Sequence, residues 1–137
     1  MIFLIISLLA TGCAQTRELS VEEQSAALAA AEPLAANLLD GLERGDFAVF
    51  SRDFQGDLKS SLKETDFNDL RTVILNRLGS LQSRDAQTFE EVNGYINITY
   101  RLTYEHGQPV SLRLVLGQEE PLGIIMLAFD SPELNQP

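Results

Sequence analysis

The chain has no tryptophan, one cysteine, one histidine and two methionines in 137 residues, and only ten Lys or Arg against twenty Asp or Glu. Each shortage excludes something. With Cys13 alone, no disulfide can close within the chain and no cysteine-based metal site can be built. The lone histidine, His106, falls in an expected turn beside Gly107, and sequence supplies neither a nucleophile nor an orienting group for it. One histidine and scattered acids also make a poor zinc set. The formal net charge of −10 is the opposite of what nucleic acid requires, since phosphate binding depends on clustered cations that release counterions. The same acidity disfavours a domain lying flat on an anionic lipid surface. Carboxylates are plentiful, yet Asp53, Asp57, Asp66 and Asp69 lack the spacing of a calcium-binding loop and suit helix caps and solvated faces. There is no Gly-rich phosphate loop. No cofactor is expected.

What is present begins at the N-terminus. Ile2, Phe3, Leu4, Ile5, Ile6, Leu8 and Leu9 form an apolar run too short to span a bilayer but suited to the h-region of a signal peptide. Ala10-Thr11-Gly12-Cys13 follows, and small residues before a cysteine resemble the bacterial lipobox. In that motif the cysteine is diacylated and becomes the mature N-terminus, and each buried CH₂ of the acyl chains contributes about 0.8 kcal/mol of attachment. Lipidation would also consume a thiol that is otherwise a liability outside the cytoplasm. Ala10 stands where the motif prefers Leu, and no Lys or Arg precedes the run. A start further upstream would supply the missing positive region. Ordinary signal cleavage and a buried strand over residues 2–10 are the rival interpretations, and the lipoprotein reading is placed ahead of both.

Every charged side chain follows Cys13. Residues 1–12 are thus expected to be a signal peptide and 13–19 the lipid-attachment cysteine and a polar tether. Residues 20–131 are expected to form one α+β domain of ordinary size, followed by a tail over 132–137. Ser20-Val21-Glu22-Glu23 reads as a capping box opening an alanine-rich helix. Pro33 is expected to kink that helix or begin a new one. Leu34, Leu38, Leu39 and Leu42 keep helical spacing, Gly45 supplies a left-handed stop, and Asp46 can cap a short helix carrying Phe47 and Phe50. A third helix is expected from Thr65 or Asp66, with Phe67, Leu70, Val73, Ile74 and Leu78 as its apolar stripe and Gly79 as its end.

The hydrophobic period then changes from helical to alternating. A strand over 83–92 leads into Asn93-Gly94, a strong hairpin turn. In the next strand Ile96, Ile98, Tyr100, Leu102 and Tyr104 share one face, opposite Tyr95, Asn97, Thr99, Arg101 and Thr103. Val110, Leu112, Leu114 and Leu116 alternate in the third strand, while a fourth over about 122–130 is apolar on both faces. The expected fold is α+β, with N-terminal helices packed on a curved four-stranded antiparallel sheet.

The segment Leu42-Glu43-Arg44-Gly45-Asp46-Phe47-Ala48-Val49-Phe50-Ser51-Arg52-Asp53-Phe54 resembles the helix, gly-asp, aromatic, asp-phe pattern of small domains in the nuclear transport factor 2-like (cystatin-like) superfamily. Among these it is similar to an uncharacterised bacterial and archaeal domain of unknown function, often found in lipoproteins. The later helix Phe67–Leu78, the Gly94-Tyr95 pair and the strand Ser111–Leu116 extend the resemblance over about residues 30–130. It implies a cone-like sheet wrapped around helices, a pocket, and frequent dimerisation. It implies no particular reaction, since the superfamily holds both enzymes and binding modules.

Two sets of candidate site residues follow. Enzymes of this fold often use an Asp or Tyr inside the cone, which singles out Tyr100, Tyr104 and Asp53 as cavity polar groups, although core tyrosines and a turn-capping aspartate explain them better. No catalytic residue is assigned. On the outer face, a three-residue loop at His106-Gly107-Gln108 pairs Leu102 with Leu112 and Tyr100 with Leu114, and sets Arg101 directly across from Arg113. A turn centred on Glu119 then places Ile125 opposite Arg113 and Leu127 opposite Ser111. Tyr95, Arg101, Arg113, Val115, Ile125, Leu127 and Phe129 would form a mixed apolar and arginine face of the composition interfaces favour. Its occupant could be a second copy or an envelope protein. Alternatively, the N-terminal helix or neighbours such as Glu90 cover it. The chain thus reads as a lipid-anchored, extracytoplasmic, non-enzymatic binding module in the cell envelope. The alternative is a small cone-fold hydrolase or isomerase.

Overall fold

The computed structural model describes residues 15–137; the expected signal peptide and Cys13 lie outside the described residues. The first helix, α1 (Val21–Arg44), opens where the sequence places it. The Glu23 amide donates to the Ser20 hydroxyl at 3.3 Å and the Glu23 carboxylate accepts from the Ser20 amide at 2.8 Å, closing the capping box. Arg17 adds a two-pronged bond to the same carboxylate, at 2.8 and 3.1 Å. This guanidinium, together with the Ser20 amide, lowers the Glu23 pKa to about 2. Gly45 ends α1 in the left-handed region at φ 72°.

Pro33 neither breaks α1 nor starts a new helix. The carbonyl it deprives of a partner belongs to Ala29, and both residues are exposed, so water can accept the role of the missing amide. The opposite side of the helix is apolar: Ala27, Ala31, Leu34, Ala35, Leu38, Leu39 and Leu42 are buried. The alanines in this stripe let the helix axis approach the sheet closely.

After α1 come α2 (Phe47–Phe50), α3 (Gly56–Ser61) and α4 (Glu64–Arg77). Asp46 caps α2 through a 3.1 Å bond from the Val49 amide, as its position suggests. The six-residue α3 has no sequence signal and was not expected. Phe50, Phe54 and Phe67 are almost wholly buried, and with Phe47 they form a cluster with ring centroids 4.8 to 6.4 Å apart.

The sheet has five antiparallel strands in sequential order rather than four: β1 (Thr16–Glu18), β2 (Leu81–Val92), β3 (Tyr95–Tyr104), β4 (Val110–Leu116) and β5 (Ile124–Asp130). The additional strand lies in the stretch read as a tether. Thr16 pairs with Val92 and Glu18 with Glu90, and Leu19 is 5 % exposed, so from Thr16 onward the chain belongs to the domain. The C-terminal stretch is also held. Ser131 is buried, Leu134 packs against the core, and the Arg77 guanidinium donates to the carbonyls of Glu133 and Gln136 at 2.7 and 2.9 Å.

The hairpin at Asn93-Gly94 forms as expected, with φ of 51° and 85° at the two turn residues. Two registers differ from those read in the sequence. Leu102 pairs with Val110 and Tyr100 with Leu112, so the β3–β4 connection is longer than three residues and the pairing shifts by two. A shift of two preserves which residues share a face but separates the arginines: Arg101 stands between Asp85 and Ser111, and Arg113 between Thr99 and Ala128. Like charges are therefore not directly opposed. In the β4–β5 pair the shift is odd. Leu114 pairs with Leu127 and Leu112 with Phe129, which turns Leu127 and Phe129 toward the helices.

One close approach fixes how α1 and α2 meet. A Cβ on Gly41 would lie 2.3 Å from the Phe50 amide nitrogen and 2.9 Å from the Asp46 carbonyl oxygen, both backbone atoms that no rotamer change can move. In isolation Ala is worth about 1 kcal/mol more than Gly inside a helix. Here the overlap outweighs that gain. Gly41→Ala is expected to lower the free energy of unfolding by about 2 kcal/mol or more in urea titrations followed by circular dichroism. A neutral or stabilised variant would show that the two backbones are not in contact.

Candidate functional site

The helix side of the sheet is filled. Tyr100 and Tyr104 point inward as their alternation requires, and they are 1 % and 6 % exposed. The Tyr100 hydroxyl donates to the Glu32 carboxylate at 3.1 Å, and Arg84 donates to the same carboxylate from β2 through Nε at 3.0 Å. Tyr104 faces Glu43, whose carboxylate also accepts from the Leu81 amide at 2.7 Å. Burial, followed by the neighbouring carboxylate, pushes both phenols well above the ordinary tyrosine range. Asp53 is elsewhere: it accepts from Asn37 at 2.9 Å, and its own backbone carbonyl accepts from the Ile124 amide at 2.8 Å.

The three candidate cavity groups therefore answer to different turns of α1, at Glu32, Asn37 and Glu43. The outer two of these are separated by about 16 Å along the helix. The structure does not gather Tyr100, Tyr104 and Asp53 into one site. His106 is an exposed turn residue. Among the described residues, no group of three or more His, Cys, Asp or Glu could hold a metal ion.

The outer face is different. Two grooves lie at the end of the sheet where β1 begins, where β2 turns into β3, and where β4 leads into β5. One, of about 440 Å³, has Tyr95, Arg113, Val115, Ile125 and Met126 among its walls. The other, of about 510 Å³, runs between Phe54, Gln55, Lys59 and Glu119 and shares Tyr95 and Ile125 with the first. Tyr95 is 38 % and Met126 43 % exposed, half of the four large hydrophobic residues exposed among the described residues. A concentration of that kind distinguishes a patch from scattered surface apolar groups.

Local geometry explains why these residues meet. Val115 pairs with Met126 but Leu116 pairs with Ile124, leaving Ile125 as an extra residue in a bulge. Ile125 and Met126 consequently both reach the outer groove. The rim is tied together by side-chain amides: Gln118 donates to the Gly94 carbonyl at 2.9 Å and Gln55 to the Pro121 carbonyl at 2.7 Å. The Gly117 amide closes the β4–β5 loop onto the Gly123 carbonyl at 2.9 Å.

Of the outer-face residues expected from sequence, Tyr95, Arg113, Val115 and Ile125 come together at these grooves. Arg101 is on the same face but further along β3, while Leu127 and Phe129 are on the opposite face. Sequence reasoning missed Met126, and it missed Gln55 and Lys59 on the connection after α2. Nothing in a strand apolar on both sides indicates which side is out. Helix α1 packs on the inner face with Tyr100 and Leu102, and so does not cover the patch.

Comparison with protein-family models, with curated proteins and with solved structures gives no match.

The buried phenols produce a pH dependence with a definite sign. An unfolded tyrosine loses its proton near pH 10, whereas Tyr100 and Tyr104 hold theirs to higher pH when folded. Their contribution is complete below about pH 10 and is lost as pH rises above it, at up to about 1.4 kcal/mol per pH unit for each phenol. Tyr104→Phe is expected to flatten the decline in urea-unfolding free energy between pH 9.5 and 11.5. An unchanged slope would mean that the Tyr104 hydroxyl titrates as freely folded as unfolded.

Proposed function

We propose that this chain is a lipid-anchored, extracytoplasmic binding module that presents the outer end of its sheet to a partner, without catalysing a reaction. The observation that carries this reading is the contrast between the two faces of the sheet. The inner face is sealed, with Tyr100 1 % exposed, and the outer face exposes Tyr95 and Met126 beside Arg113. A small hydrolase or isomerase needs a water-accessible cavity with its polar groups converging. The dispersion of Tyr100, Tyr104 and Asp53 along α1 favours the module over that alternative.

The anchor rests on the apolar run ending in Ala10-Thr11-Gly12-Cys13, which supports a location in the cell envelope. No helix among the described residues is long and apolar enough to cross a membrane. The likeness to cone-shaped, cystatin-like domains belongs to the same reading. Two bulges in β2, after Leu81 and after Ala86, supply the kind of bending a curved sheet needs. The partners that fit the face are a membrane component, an envelope protein or a second copy; nucleic acid does not suit a chain of net charge −10.

Cys13→Ala tests the anchor. In fractionated bacterial cells the chain is expected in the membrane fraction, and the variant is expected to lose at least tenfold of that association. A variant that stays with the membrane would overturn lipid attachment at Cys13.

A further inference from the structure

We infer that the groove end of the sheet docks on the lipid headgroup layer of the membrane that holds the chain, with Tyr95, Ile125 and Met126 at the water–lipid boundary. The inference rests on the proposed acylation of Cys13 and names the partner of the same outer face. The argument begins with where the described chain starts. Gln15 is tied to the β2–β3 turn twice: its amide donates to the Asn93 side-chain oxygen at 3.2 Å, while its carbonyl accepts from the Asn93 amide at 3.0 Å. Cys13 is two residues before Gln15, and two residues extend at most about 7 Å. An acyl anchor at Cys13 therefore cannot hold the domain at a distance. It must bring the corner containing Asn93 against the bilayer surface.

That corner carries the apolar groove. Asn93 itself lines it, with Tyr95, Val115, Ile125 and Met126. A tyrosine with its ring on an apolar surface and its hydroxyl free to reach water has the character of residues enriched at membrane interfaces. The charges at this end are mixed. Arg113 and Lys59 make no ion pair among the described residues and can meet phosphate, and Glu119 on the neighbouring rim can meet an ammonium group. This combination fits a zwitterionic headgroup such as phosphatidylethanolamine. The net charge of −10 opposes broad contact with anionic lipid, but end-on docking through one corner does not require it.

The test uses the full chain purified from bacterial membranes and reconstituted in phosphatidylethanolamine–phosphatidylcholine vesicles. Met126→Cys carries a fluorophore at the groove, and His106→Cys carries the same fluorophore at the opposite end of the sheet. Quenching by lipids spin-labelled near the headgroup is expected to be at least threefold greater at position 126 than at position 106. Circular dichroism confirms folding of both variants, and Tyr95→Cys repeats the measurement should Met126→Cys fail to fold. Mass spectrometry of the same samples reads acylation at Cys13 separately. Absence of the acyl mass overturns the anchor and the docking together. Acylated protein quenched equally at the two positions overturns the docking alone. Protection of position 126 from aqueous quencher without lipid quenching, with a dimer mass that Ile125→Glu returns to monomer, assigns the face to a second copy instead.

Discussion

Strand β3 is the middle of five, and its side chains alternate without interruption from Tyr95 to Tyr104. Ile98, Tyr100 and Leu102 are at most 1 % exposed on one side, while Arg101 and Thr103 are exposed on the other. A slip of one residue would exchange these two sets, placing an arginine in the core and three large side chains in water. The rest of the domain takes its position from that constraint. Helix α1 lays its alanine and leucine stripe over the apolar side, β2 and β4 pair on either flank, and the aromatic cluster closes the core beyond them.

Polar groups on the inner side are arranged as fastenings between layers. Glu32 joins α1 to β2 and β3, Glu43 caps the start of β2 at the Leu81 amide, and Asn37 reaches the segment after α2 through Asp53. Arg71 does the same from α4, donating to the carbonyls of Leu42 and Glu43 near the end of α1 at 2.9 and 3.1 Å. Glu43 and Arg71 meet backbone groups at a strand start and a helix end, and Glu32 meets the buried Tyr100 hydroxyl, groups that would otherwise lack a partner. Tyr100 and Asp53 are both hydrogen-bonded to side chains of α1, and Tyr104 faces a third.

Features written in a few consecutive residues were legible in the sequence. The Ser20 capping box, the left-handed Gly45, the Asp46 cap and the Asn93-Gly94 turn all appear where local chemistry calls for them. The alternation of β3 was equally readable, because both faces carry distinct chemistry. What could not be read depended on partners distant in the chain. Pro33 is tolerated only because its side of α1 faces solvent. Strand β1 owes its existence to the edge that β2 offers it, having no apolar alternation of its own. Strand β5 is apolar on both faces, so its parity was settled by the bulge at Ile125 and not by pattern. On the outer face this one ambiguity exchanged Leu127 and Phe129 for Met126, while Tyr95 and Arg113, on strands of clear alternation, lie on the face that the alternation gives them.

The two termini of the described chain leave the domain at opposite ends of the sheet. Gln15 is tied beside the Asn93 turn, whereas Glu133 and Gln136 are gripped by Arg77 near the beginning of β2. The ten residues of β3 between these ends measure about 33 Å. Because the sheet is continuous and both ends are hydrogen-bonded to the domain, a load applied at one end of the described chain would be transmitted along the strands to the other. Shear along hydrogen-bonded strands resists extension far more than peeling them apart one pair at a time, so a chain pulled from Gln15 and Gln136 would meet the sheet in its stronger direction.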